Sequence, residues 1–476
     1  MLTNITAANR FGLGARPGEL AAIGADPRGW LLEQVKGSRP TPDAVKSLPS
    51  SAKVFAAYTQ VQEAKRDLRK ESGQEPQKGA GSEAQRAQKL IANIRQQVVP
   101  IYLDQVATRY RIAAATDEPF RERLVHFWSN HFAVSADKAA VIGLAGALEN
   151  EAVRPNLHGR FIDLLLAVET HPAMILYLDN QASIGPNSRI ADRAERRLQS
   201  NGRKVGINEN LAREILELHT LGVNGGYSQA DVTTFAQALT GWSVGGGNRG
   251  MLAQGEPGQF VFRENFHEPG AKTILGKRYG ADGVAQARAM MQDVASNPAT
   301  ATHIATKLVR HFIADDPPAA AVERIAKVFR DSGGDLPTVH GALSDLPQAS
   351  VLPAAKFKTP HEFVTSTLRM LDFVPDKPQQ VLAPFQLLGQ RPWSPGSPAG
   401  WPDTADQWDG PDALLKRIEW ATQVADRVGS KSQPLQLASQ ALGSALTQKT
   451  STAIARAESG AQGLTLLLVS PEFQRR

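Results

Sequence analysis

The sequence predicts a mainly α protein: a large multi-helix domain carrying one small β-hairpin. Three observations lead there. Apolar residues recur at helical spacing along most of the chain, and clear strand alternation is rare. Helix-start and helix-stop residues bracket many of those segments. The chain has 476 residues with 42% hydrophobic content, enough to bury a substantial core. The domain is expected to occupy 1–476, either as one unit or as two fused lobes.

In order, residues 54–71 read as a charged amphipathic helix, and 72–84, "SGQEPQKGAGSEA", as a mobile polar linker with no apolar anchor. A long helix returns over 83–115. Shorter ones fit 120–132, 139–151, 161–168, 172–178, 211–221 and 229–239. Strand alternation in "QFVFRENF" and "KTILGKRY" predicts a hairpin insertion over 259–279, with His267, Glu268, Pro269 and Gly270 at its turn. Helices then continue to "LLLVSPEF", and no fixed-period repeat is present.

Composition removes several function classes. Without cysteine there are no disulfides, no thiol nucleophile and no thiolate metal site. Any metal must take His, Asp or Glu. The net charge of +6 is small, its basic residues are dispersed or paired as in "EAKRDLRKE", and no nucleic-acid module signature occurs, so no nucleic-acid partner is expected. No uncharged apolar run is long enough to span a membrane. The opening "MLTNITAANRFGLGARPGEL" resembles neither a secretory signal nor a twin-arginine leader, which predicts a cytoplasmic chain or one already trimmed.

The most informative stretch is "NENLAREILELHTLGVNGGY". Asn208 is a good N-cap, and Gly222, Gly225 and Gly226 supply the left-handed conformations that stop a helix. Projected at about 100° per residue, Glu209, Asn210, Arg213, Glu214, Glu217 and Thr220 share one arc, with Leu211, Ala212, Ile215 and Leu218 opposite. Two readings stay open. Arg213 lies four residues from both Glu209 and Glu217, which fits a solvated ion-pair ladder worth about 0.3–0.5 kcal/mol per pair. The two asparagines and the absence of lysine fit the wall of a buried polar site instead. His219 projects to the apolar side, as a satisfied core histidine would. Ser228 and Asp231 then form a capping box, so a second helix begins at once and the pair is a helical hairpin.

Other polar points interrupt apolar segments. In "RERLVHFWSNHFAVS", Asn130 and His131 sit among aromatic residues as a helix cap or as site ligands. In "ETHPAMILYLDNQASIGPNS", His171, Asp179 and Asn180 are either turn chemistry or part of a site. His267 and Lys272 flank the expected hairpin turn, where the Gly-x-Lys-Thr run lacks the spacing of a phosphate loop. Trp393, Trp401 and Trp408 fall on a Pro-rich loop, for packing or for holding a sugar or partner.

The ordered set "FWSNHF", "HPAMILYLDN", "NENLAREILELHTLGVNGGYSQADV", "ALTGW", "FHEPGAKTILG", "KTPHEFV", "GWPDTADQW" and "SPEFQ" resembles the bacterial domain-of-unknown-function family numbered 1800 over nearly the whole chain. The resemblance implies an all-helical protein, often encoded beside a sulfatase-like partner family that carries a twin-arginine export signal. It implies secretion or envelope work with that partner, and it brings no catalytic residues.

With neither a thiol nor a Gly-x-Ser-x-Gly elbow, a covalent acyl mechanism is disfavoured, and the zinc-protease signature is absent. The remaining chemistry is a carboxylate and histidine cluster. The expected catalytic set is Glu209, Arg213 and Glu214 with His131, His171 or His267, and the expected substrate contacts are Asn130, Asn180, Asn208, Asn210, Lys272 and Trp401. Glu214, Glu217 and His131 form a trial set for a divalent metal. The same carboxylates also suit general acid–base work on a polar substrate in a hydrolase-type reaction. The alternative is a non-catalytic helical binding subunit acting with a partner protein.

Overall fold

Local signals account for most helix boundaries. Ser228 accepts from the Asp231 amide and Asp231 answers to the Ser228 amide, which starts the helix Gln229–Leu239. Thr359 and Glu362 make the same box ahead of Pro360–Met370. Asn297 caps Pro298–Phe312, and the His171 Nδ1 accepts from the Ala173 amide to cap Pro172–Tyr177. The computed structural model describes residues 2–71, 92, 96–191, 206–247, 253–351, 354–429 and 432–476. The fold is mainly α, with two small two-stranded antiparallel sheets among the described residues. The segment 72–84, expected as a linker, lies outside them.

One apolar core runs from Ala7 to Phe473. At its centre the helix Pro119–His131 is buried on almost every side, with the rings of Phe120 and Phe127 packed against Phe312, and Trp128 against Phe132 and Phe161. A helix buried all round is normally apolar. This one carries Arg121, Glu122, Arg123 and His126 inside the protein, so their partners must come from other segments. The helix Val99–Ala115 packs against Pro360–Met370, and Pro298–Phe312 against Ala319–Asp331. These elements surround the central helix and define the cavity described below.

The expected hairpin is corrected by the pairing. Strand Phe260–Phe262 pairs back with Trp242–Val244, and Lys272–Ile274 pairs with Lys277–Tyr279. The tight turn is therefore Leu275–Gly276 rather than His267–Gly270, and Gly276 takes the positive φ of 76° that a two-residue turn needs. The earlier strand cannot continue into that hairpin because Glu264–Phe266 forms a helical turn, and the buried Trp242 fixes its other partner. No helix among the described residues is long and apolar enough to cross a membrane.

Candidate functional site: a histidine-rich cationic pocket

The best-formed cavity, about 350 Å³, opens beside the central helix. Arg123, His126, Phe127 and Asn130 line it at helical spacing, and Lys307, Arg310 and His311 line it from Pro298–Phe312. His361 and Glu362 enter from the first turn of Pro360–Met370, and Trp393, Trp401 and Asp403 from the Pro-rich loop. That loop is held at defined points. The Asn130 amide donates to the Trp401 carbonyl at 2.9 Å while its oxygen accepts from the Trp401 amide at 2.8 Å. Gly400, just before, has φ +84°, and a Cβ there would lie 2.3 Å from the Asn130 carbonyl oxygen, so only glycine fits. Trp393 has φ 48°, a conformation costing a bulky residue on the order of 1–3 kcal/mol. Its indole donates to Glu149, whose carboxylate also pairs with Arg109.

The lining is cationic, with Arg109, Arg123, Lys307, Arg310 and Arg391 against Glu362 and Asp403, although Arg109 pairs with Glu149 and Arg391 with Asp137 outside the lining. Both acids are engaged. Glu362 meets Arg123 and Arg476, and Arg476 also approaches Asp403 at 3.6 Å. Asp403 accepts from His311 Nδ1 at 2.7 Å and lies 3.5 Å from Lys356. Although burial opposes ionisation, His311, Lys356 and Arg476 hold the Asp403 carboxyl down at about 2. An ionised Asp403 fixes the proton of neutral His311 on Nδ1 and leaves a lone pair on Nε2, which faces Arg123 at 3.4 Å. Burial keeps His311 below the ordinary histidine value, with Arg476 and Arg123 adding to the effect against Asp403. Burial likewise lowers the Lys307 amine to about 8, and among the described residues it has neither a hydrogen bond nor an ion pair.

A second chain of polar groups reaches the same pocket. The Tyr110 hydroxyl is 2.7 Å from His361 Nδ1, His361 Nε2 is 2.9 Å from His126 Nδ1, and His126 Nε2 is 3.3 Å from Glu122. Glu122 in turn takes both terminal nitrogens of Arg154 and stays ionised despite its burial. Only one proton arrangement satisfies every link with neutral rings: Tyr110 donates to His361, His361 to His126, and His126 to Glu122. Burial keeps both histidines below their ordinary value, consistent with that arrangement.

The family described as "Protein of unknown function (DUF1800)" matches residues 6–475. The chain belongs to the DUF1800 family. No curated protein and no solved structure matches it. Three residues singled out in this DUF1800 sequence, Asn130, His131 and Trp401, line the pocket. His131 is buried, donates from Nε2 to the His219 carbonyl at 3.1 Å and is held well below the ordinary value by burial and then by Lys307.

The other singled-out residues lie elsewhere. Glu209 pairs with Arg213 at 3.2 Å and accepts from Gln229 and Thr233, with the two charged side chains about one-third exposed. The helix Asn210–Glu214 has Glu209 rather than the expected Asn208 at its N-cap; the Asn208 oxygen makes a turn bond ahead of it, accepting from the Asn210 amide, and Asn210 is exposed. Glu214 is half-buried, and burial pushes its carboxyl up. Glu217 lies 3.4 Å from the Tyr227 hydroxyl. No hydrogen bond or ion pair joins Glu209, Arg213 or Glu214 to His131, His171 or His267 among the described residues. His219 is the satisfied core histidine, bound to buried Glu169 at 2.7 Å. His171 caps its helix and faces Glu151, and His267 Nδ1 donates to the Thr240 carbonyl. The Asn180 amide donates to Leu239 and Trp242 carbonyls, and Lys272 to those of Glu268 and Gly270. Glu214, Glu217 and His131 do not converge: among the described residues no three His, Asp or Glu side chains are grouped to hold a metal ion.

The residues that the sequence did not single out are Arg123, His126, Lys307, His311, His361, Glu362 and Asp403. Their signal was present. Arg123, His126 and Asn130 repeat at helical spacing, as do Lys307, Arg310 and His311, and "KTPHEFV" and "GWPDTADQW" hold the rest.

Proposed function

We propose that this protein is an enzyme performing general acid–base chemistry on an anionic polar substrate in the His311–Asp403 pocket. The observation that carries the reading is the His311–Asp403 pair, with its Nε2 lone pair, in a cavity lined by five basic and two acidic side chains. In this reading Lys307 and Arg310 hold the substrate's anionic group, because among the described residues Lys307 has neither a hydrogen bond nor an ion pair and Arg310 donates to the Asp315 carbonyl alone. His311 Nε2 takes a proton from the substrate or from an attacking water, and Asp403 stabilises the imidazolium that forms. The His311 imidazolium then returns that proton to the departing group, while the Tyr110 hydroxyl stays committed to His361. Trp393, Trp401 and Phe127 supply the apolar walls that limit water.

The binding-subunit reading has one observation in its favour: both pocket carboxylates are already paired within the protein. In that case the same cationic pocket receives an anionic group of a partner, such as a sulfatase-like protein, and nothing turns over. One experiment separates the two. A panel of small carboxylates, phosphate esters and sulfate esters is assayed for binding and for product with wild type, Lys307→Met and His311→Asn. The enzyme reading expects weaker binding in Lys307→Met, and binding without product in His311→Asn. Wild type that binds a panel member through Lys307 but never converts any would favour the binding subunit. Binding untouched by Lys307→Met would contradict both.

A further inference from the structure

Glu122, at the end of the histidine chain, also borders a second cavity of about 340 Å³, separate from the one used above. Its charged lining is Arg39, Arg121, Arg154, Glu118 and Glu122, with exposed His158 at its edge. The acids are spoken for. Glu118 accepts from Arg39 at 2.7 Å, and both oxygens of Glu122 go to Arg154 at 2.5 and 2.8 Å. Arg121 is left over. It is only 7% exposed, yet it makes neither a hydrogen bond nor an ion pair among the described residues. Glu118 and Glu122 are the acids whose fields reach it, and each is already bonded to another arginine.

The stem of Arg121 is buried while its guanidinium opens onto the cavity, so a group held by no protein acceptor among the described residues is available to a ligand there. Its planar fork of N–H donors matches two oxygens of one oxyanion. From this we infer that the second cavity is a binding site for a tetrahedral oxyanion of the phosphate or sulfate class, held by Arg121 beside Arg154. The ligand is either the free ion or the same group on a larger ester. The site is distinct from the proposed catalytic pocket, since the two cavities share no lining residue.

The test is calorimetric titration of anion-free protein with inorganic phosphate and, separately, phenyl phosphate at fixed ionic strength. Because the first pocket also takes anions through Lys307, the titration is made on Lys307→Met, which is expected to keep saturable binding, and Lys307→Met with Arg121→Gln is expected to bind at least tenfold more weakly. Tighter binding of phenyl phosphate would place the group on an ester, and tighter binding of phosphate would make it the free ion. In the Lys307→Met background phosphate is also expected to raise the Tm, and to raise it no longer once Arg121→Gln is added. Should Arg121→Gln fail to fold, Arg121→Lys keeps the charge without the fork and is expected to bind more weakly. Three results would overturn the inference: no saturable binding by Lys307→Met, or binding equal to it when Arg121→Gln or Arg121→Lys is added.

Discussion

His340 offers a sharp stability test because it is fully buried and its protonation state is forced. The Trp128 indole N–H donates to its Nε2 at 3.0 Å, so that nitrogen must carry a lone pair. Burial, with the Arg121 charge adding to it, lowers the His340 pKa to about 3. In the unfolded chain the value returns to about 6.5. Between those two values the unfolded state binds a proton that the native state does not, so stability is complete above about pH 6.5 and falls as the solution is acidified. The slope for one such group is about 1.4 kcal/mol per pH unit, or roughly 2 kcal/mol between about pH 6.5 and 5. The buried acids Glu122, Glu362 and Asp403 have lowered values, so they lose stability only below the ordinary carboxylate range and leave this window to histidine. His340→Gln keeps an acceptor for Trp128 but cannot titrate. Urea unfolding followed by tryptophan fluorescence at about pH 7, 6 and 5 should therefore show the variant losing about 2 kcal/mol less than wild type over that range, about 1 kcal/mol per unit on average. Parallel curves for the two proteins would refute the reasoning.

Glu362→Gln leaves Arg123 and Arg476 buried beside a neutral amide, and a loss of about 3–5 kcal/mol is expected in denaturant unfolding. A loss under about 1 kcal/mol would mean water screens the trio. Gly400→Ala forces a Cβ against the Asn130 carbonyl at a positive φ, so a loss of roughly 1–3 kcal/mol with altered tryptophan fluorescence is expected, and unchanged stability would contradict that geometry. Arg213→Ala should cost less than about 1 kcal/mol, because its pair with Glu209 is partly solvated, and a several-fold larger loss would show that this face is closed.

What was legible in the sequence was local. The helix Gln229–Leu239 follows from a capping box and a glycine stop contained within twenty residues, and the apolar side of His219 was read correctly from one helical projection. The strand partner of Phe260–Phe262 was not legible, because three-residue strands carry little alternation and the partner Trp242–Val244 lies across a loop. The pocket was legible at Asn130, His131 and Trp401, where polar or aromatic groups break an expected pattern. It was missed at Lys307, Arg310 and His311, since basic residues in the last turn of an amphipathic helix read as dipole-compensating surface groups. Arg123 reads as a solvated charge until Glu362, 239 residues away, is brought against it. The Asn208 helix drew attention for its acids and asparagines, yet the Glu209 and Arg213 bonds close within the helical hairpin, and the Asn208 amide ties its start to the Leu178 and Asp179 carbonyls.

That neutral His311 keeps its proton on Nδ1 and turns an unprotonated Nε2 toward Arg123 and the pocket can be read from nitrogen-15 NMR of histidine-labelled protein near pH 7. His311→Asn assigns the resonances by difference. The account predicts a protonated Nδ1 and an unprotonated Nε2, with Asp403→Asn disturbing that preference. An imidazolium, or a proton resident on Nε2, would contradict it.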